Sequence, residues 1–374
     1  MVPSESCLKV GRIASTVATL VCGLVVMASV AAPLLVYSVI LAMFGTAHVL
    51  AELRYVDRRF STRLGIPYTA VISLLLAGAV AARASGVFGV LSSSTAVTLE
   101  LSFVVALALS AARGCSAVQR TIAIGVAGAL GVATLVSPFN TAISLSILHN
   151  LTPLAFLWEI SQPESRRRIM TLASIAFVGL PLLVATGLPR VALATLGIFL
   201  PFVDPLGAGT LGDHLYVYVP TPLLDGDSAV DLFSASVVAQ CAHYAAVIQV
   251  LPALLEFNDP KAFGMIAWPR GKMFWTIVIA LSSIVVYRFA IGFVSARTLY
   301  GIAASLHAWV EIPLVIMAMT RTSQAKSARP ASVEAPLAIP EITSALAGDS
   351  PVTQAMIVAS ARITSASVTP TVGQ

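Results

Sequence analysis

Charge is scarce in this chain: 22 Lys and Arg and 17 Asp and Glu make up 10% of 374 residues, against 57% hydrophobic. Soluble domains carry roughly a quarter charged residues, so the composition excludes an ordinary soluble globule and points to an integral membrane protein. Basic tracts interleaved with aromatics are lacking, and Lys and Arg fall at the ends of apolar runs. The net charge of +5 therefore reads as membrane orientation, and nucleic acid is not expected as a partner. Cysteine is sparse too. Cys7, Cys22, Cys115 and Cys241 show no CxxC spacing and read as small core residues.

Several motifs are missing. Without GxxxxGK[ST], GxSxG or HExxH, nucleotide-driven transport, serine hydrolysis and zincin proteolysis lose their machinery. The HxxxH and HxxHH boxes of membrane desaturases are absent, and the last span, "YGIAASLHAWVEIP", has no lysine to carry retinal. The acidic stretch 204–231 holds Asp204, Asp213, His214, Asp225, Asp227 and Asp231 without the alternating carboxylates and glycine of a calcium loop. It reads as a solvated external loop over a pocket mouth, with Asp213/His214 as a surface-metal candidate. No repeat of 20–50 residues is evident.

What is present is a series of apolar runs near the 20 residues or so that span a bilayer. They lie near 13–31, 33–53, 67–84, 94–112, 120–137, 139–158, 169–187, 233–252, 273–295 and 300–320, with a shorter piece at 190–204. The first is long for a signal sequence and reads as a retained helix. Basic clusters at Lys9/Arg12, Arg54–Arg63, Arg113/Arg120, Arg166–Arg168, Lys261–Lys272 and Arg321–Arg329 all face the cytoplasm if ten spans cross with both termini inside. The 190–204 piece is then a re-entrant or half-length helix, and Arg83, Arg190 and Arg297 are isolated exceptions. The expected architecture is an all-α polytopic bundle over residues 1–321, in a bacterial plasma membrane. Residues 322–374, rich in Ala, Ser, Thr and Pro, read as a disordered cytoplasmic tail.

Of five histidines, four lie within these spans: His48, His149, His243 and His307. Ionisable groups in bilayer segments are costly and mark function by default. His48/Glu52 and His307/Glu311 share His-x-x-x-Glu, which puts ring and carboxylate on one helical face. The carboxylate can bind the same ion or orient the ring. Four imidazoles from four helices, with two glutamates, are the ligand inventory of a non-haem iron or zinc site; four His can also hold two haems axially. Depth is a partial obstacle. His149 and His243 sit roughly 14 Å from the cytoplasmic ends at about 1.5 Å per residue, while His48 is shallower and His307 deeper unless helix two runs on through "LRYVDRRF".

Other polar groups have readings of their own. Glu100 and Arg288 are well inside apolar segments and can answer each other, as an ion pair, a clamp on a polar substrate end or a gate. Glu159 reads as a snorkelling carboxylate at the membrane edge. Asn150, Thr152 and Tyr244 flank the histidines as donors to the rings or as bonds across helices. Pro153, Pro252 and Pro313 suit a kinked pocket or a plain helix end.

With "CAHYAAVIQVLP" and "LHAWVEIP" on separate spans, the chain resembles the Brp/Blh group of bacterial carotene-cleaving membrane oxygenases in architecture and in its His-bearing helices. The resemblance implies non-haem iron held by intramembrane histidines and a very hydrophobic substrate. A transporter or channel, with 190–204 as a broken helix, and a b-type cytochrome are the other readings.

Overall fold

The computed structural model describes residues 20–61, 64–112, 117–204, 206–258 and 264–327. It is all-helical, with no strand among the described residues. Eight helices are long and apolar enough to cross a membrane: α2 (Pro33–Ser61), α3 (Ile66–Val87), α4 (Ser93–Ser110), α6 (Pro138–Ile160), α7 (Pro163–Ala185), α10 (Asp227–Asn258), α11 (Gly271–Ile291) and α12 (Phe293–Ser327). Two further apolar stretches are shorter: α1 (Leu20–Ala31), and Arg120–Val136 within α5 (Ala117–Val136). The ten apolar runs thus all contain helix. The tail beyond 327, residues 13–19 of the first run, Cys7, Cys115 and the clusters' Lys9, Arg12, Arg63, Arg113 and Lys261 lie outside the described residues.

Local chemistry sets the breaks. Proline opens α2, α3, α6 and α7, where its fixed φ suits the first turn and its missing N–H removes nothing. Ser92 caps α4 by accepting from Thr95 N. Gly187, at φ 75°, turns the chain from α7 into α8 (Leu188–Thr195). The half-length helix expected at 190–204 is these eight residues; Gly197, with φ 71°, follows its end.

Burial is inverted relative to a soluble protein. Leu135 is 83% exposed and Leu74 74%, while His48, Glu52, Glu100, His243, His307 and Glu311 are buried. An apolar exterior around a polar interior is what lipid as solvent selects. Cys22 is exposed, which corrects its assignment to the core; Cys241 is half-buried, and both thiols are free.

Two apolar cores flank a polar layer. One contains Leu34–Ala42 of α2, Phe233 and Val237 of α10, Phe289 of α11, and Phe293 and Ala296 of α12. The other contains Ala51–Val56 of α2, Phe156–Ile160 of α6, Ala246–Leu255 of α10 and Trp309–Ala318 of α12. In α2, α10 and α12 the first core lies N-terminal and the second C-terminal, so these helices run parallel. His48, His243 and His307 each fall between the two.

Candidate metal centre

Three helix irregularities surround the polar layer. α6 breaks at Asn150–Leu151, immediately after His149. α10 widens into a π-turn at Ala246–Val250, just past His243, as helices often do at functional sites. In α12, Pro313 follows Glu311 by two residues and removes one rung of the helical ladder. α2 continues through "LRYVDRRF" as a π-turn, Asp57–Ser61. That extension is held by Asp57, whose carboxylate accepts from Met265 N, Ile266 N and Trp268 Nε1, each at 3.0 Å. With α2 this long, the depth mismatch between His48 and the other histidines disappears.

The four imidazoles converge: one ring nitrogen from each of His48, His149, His243 and His307 lies within 4.8 Å of all the others. His307 Nε2 is 3.1 Å from His48 Nε2 and 3.1 Å from His149 Nε2. A neutral imidazole has one donor and one acceptor nitrogen, so one Nε2 cannot serve both neighbours in the same way. Around an ion with bonds of about 2.1 Å, nitrogens at a right angle are about 3.0 Å apart and at a tetrahedral angle about 3.4 Å. The two 3.1 Å separations fall between, while the four nitrogens together spread to within 4.8 Å of one another.

The carboxylates are placed differently from the expectation. On a helix the ring and carboxylate of His-x-x-x-Glu are one turn apart along the axis. Each glutamate therefore meets the imidazole of a neighbouring helix, level with its own turn. Glu311 Oε2 is 2.5 Å from His149 Nδ1, and Glu52 Oε2 is 3.5 Å from His243 Nε2. Glu311 thus orients the His149 ring with Nε2 turned to the centre, as carboxylates do for metal-bound histidines.

Many polar atoms here lack partners. Both oxygens of Glu52, Oε1 of Glu311, both nitrogens of His243 and Nδ1 of His48 and His307 are buried without a hydrogen bond. The His48 and His307 rings face carbonyls of their own preceding turns, and His243 those of His149 and Asn150 at the α6 break, without closing well-aligned bonds. Among the described residues neither glutamate meets a Lys or Arg. Buried carboxylates without a Lys or Arg are expensive, and the four-His group beside them could hold a metal ion. Tyr244 does not donate to a ring; it stacks on His48 at 4.0 Å between centroids, its hydroxyl held by Gln240 Nε2 at 2.9 Å. Thr152 and Asn150 bond the backbone carbonyls of His149 and Ser146.

Several other assignments change. Glu100 does not meet Arg288, which is exposed on α11. It accepts from Arg83 Nε at 2.8 Å and from Trp309 Nε1 at 2.7 Å. Arg83, set aside as an orientation exception, is the partner, because α3 and α4 pack side by side whereas Arg288 faces outward. Glu159 is no free snorkel: Arg59 grips it with bonds of 2.9 and 2.7 Å. Arg190 pairs with Asp231 at 2.7 Å. His214 is no surface-metal ligand. It is buried in α9 (Leu211–Tyr218), with Nε2 donating to Ala208 O at 2.9 Å and Nδ1 accepting from Arg297 Nη1 at 2.7 Å. Burial holds its pKa below the usual histidine value. Asp213, beside it, completes a capping box with Thr210, and those bonds lower its pKa.

Gln240, Arg83 and Trp309 were missed in the sequence. Only the spacing of Gln240 to Tyr244, one helical turn, signalled a link. No protein-family model, curated protein or solved structure matches this chain.

Proposed function

We propose that the protein is an integral-membrane non-haem iron enzyme that oxygenates a hydrophobic, isoprenoid- or lipid-like substrate at the His48/His149/His243/His307 centre. The observation that carries this reading is the convergence of four imidazole nitrogens within 4.8 Å, next to two buried carboxylates that meet no Lys or Arg among the described residues. Imidazole ligands suit iron, zinc, copper and nickel; four nitrogens leave open positions on a six-coordinate iron. Iron bound there supplies dioxygen activation.

The protein's own groups do the rest. His48, His243 and His307 are sealed between the two apolar cores, while the His149 side chain is 14% exposed. Substrate therefore reaches the centre on the His149 side, beside the α6 break, and the cores keep bulk water away from the others. Glu311 fixes the His149 ring, and the stacked Tyr244 fixes that of His48. The 3.1 Å nitrogen contacts leave no slot for a porphyrin between paired axial rings, which argues against the cytochrome reading. With Glu100 and Arg288 apart, the gate of a transporter reading is also gone.

We further infer ten crossings with both termini cytoplasmic, in a bacterial plasma membrane. The parallel course of α2, α10 and α12 fits an odd number of crossings between them, α3–α7 and then α11, with α1 and α5 counted as spans to make ten. Resemblance to the carotene-cleaving membrane oxygenases supports the substrate class.

Metal analysis and an absorption spectrum of gently detergent-purified protein test this reading. Expected is about one iron per chain, no Soret band, and loss of the metal on changing any of the four histidines to Ala. A metal-free preparation, or one whose iron survives His243→Ala and His307→Ala, overturns it.

A further inference from the structure

A second feature lies far from the histidines, where α6 ends and α7 begins. A groove of about 830 Å³ opens there, within the size range of ligand sites. We propose that it binds one anionic phospholipid, with the phosphate on Arg166 and Arg167 and an acyl chain along Met170, Ile175 and Val178.

Position is the first argument. The turn Ser161–Gln162 joins two membrane-spanning helices, so the groove begins at headgroup level whichever face it occupies. Basic residues in that connection favour the cytoplasmic leaflet, where anionic lipids concentrate. Trp158, an amphipathic ring suited to this level, lines the groove.

Charge is the second. Arg59, Arg83 and Arg190 each close on a carboxylate. Among the described residues no carboxylate pairs with Arg166 or Arg167. Arg166 is nonetheless held in place: Nη2 donates to Ser161 O at 2.8 Å and the guanidinium lies 5.1 Å from the Trp158 ring centroid. Its Nε is buried, so the donors it presents to the groove are its remaining Nη hydrogens. A positioned guanidinium with unused donors is complementary to a phosphate.

Shape is the third. α7 widens into a π-turn at Ile175–Gly179, and a Cβ at Gly179 would meet nothing closer than 3.9 Å. Below the arginines the groove wall is mostly apolar, with Thr171 and Ser174 its polar members, and is unfilled at Gly179, a form that takes an acyl chain. One phospholipid presents phosphate and chain in that order; inorganic phosphate supplies only the first.

The test is titration of the purified protein with phosphatidylglycerol, phosphatidylcholine or inorganic phosphate, read by native mass spectrometry and by thermal unfolding. Phosphatidylglycerol is expected to bind and to raise the unfolding temperature, while phosphatidylcholine and phosphate do not. Arg166→Gln/Arg167→Gln removes two interfacial cations and weakens phosphatidylglycerol binding about thirty-fold. Val178→Trp, which fills the chain path and keeps both charges, also weakens it, and Arg270→Gln, an exposed cation elsewhere, leaves it unchanged. Equal binding of both lipids, an equal effect of phosphate alone, or equal losses in the Arg166/Arg167 and Arg270 variants overturns the proposal.

Discussion

Glu52→Gln separates a metal centre from a merely structural polar layer, because only in a metal centre should it shrink the stability that metal confers. In the metal-free protein the Glu52 carboxylate is fully buried, accepts no hydrogen bond, and lies 3.5 Å from His243 Nε2. Exchanging buried ions for neutral groups is neutral to stabilising by about 1–4 kcal/mol. The new amide can offer one hydrogen to His243; the other, unpartnered, costs about 1 kcal/mol. The metal-free variant should thus match the parent or exceed it by up to about 3 kcal/mol. With iron bound, losing a carboxylate that holds or orients a ligand weakens metal affinity about 10- to 100-fold, equivalent to about 1.4–2.7 kcal/mol. Unfolding would be followed in detergent, after chelation and again after anaerobic loading with Fe(II), with metal content measured in parallel. At about 2 °C per kcal/mol, the variant melts at or above the parent without metal, and metal raises its melting temperature by about 3–5 °C less than it raises the parent's. A metal-free variant several degrees less stable than the parent, or one that binds iron equally well, would refute the reasoning.

Two further predictions concern the corrected pairings. Glu100→Ala strips Arg83 and Trp309 of their common acceptor and should cost about 3–5 kcal/mol in unfolding measurements; Arg288→Ala, at an exposed site, should change stability by no more than about 0.5 kcal/mol. The reverse ranking would restore a Glu100–Arg288 pair. For His214, folding favours the neutral ring, whose pKa is depressed by burial. Its contribution is therefore complete above the ordinary value of about 6.5 and is lost as pH falls below it. Amide exchange over residues 206–218 should accelerate, relative to intrinsic rates, between pH 7.5 and 5.5, and His214→Asn should remove that dependence; an unchanged pH response in the variant would exclude His214 as its source.

The amino-acid sequence by itself determined the helical class, the apolar runs and the residues of the candidate site. Lipid makes charge and imidazole so costly inside a span that their mere presence is a signal, and four histidines within apolar runs stood out against a background of 10% charge. Periodicity also put His48 with Glu52 and His307 with Glu311 on common faces. Tertiary structure alone decided the partners. Glu311 serves His149 and Glu52 lies beside His243, because a carboxylate one turn along its helix is level with the next helix's ring. Glu100 went to Arg83 and Trp309 for the same kind of reason: a pairing across helices depends on which faces pack and at what height, and neither quantity is written in the spacing along one chain. The end of α2 shows how far this reaches. Acceptance of three donors by Asp57 from a segment more than two hundred residues away holds the extension of the helix that carries His48 level with the other three histidines.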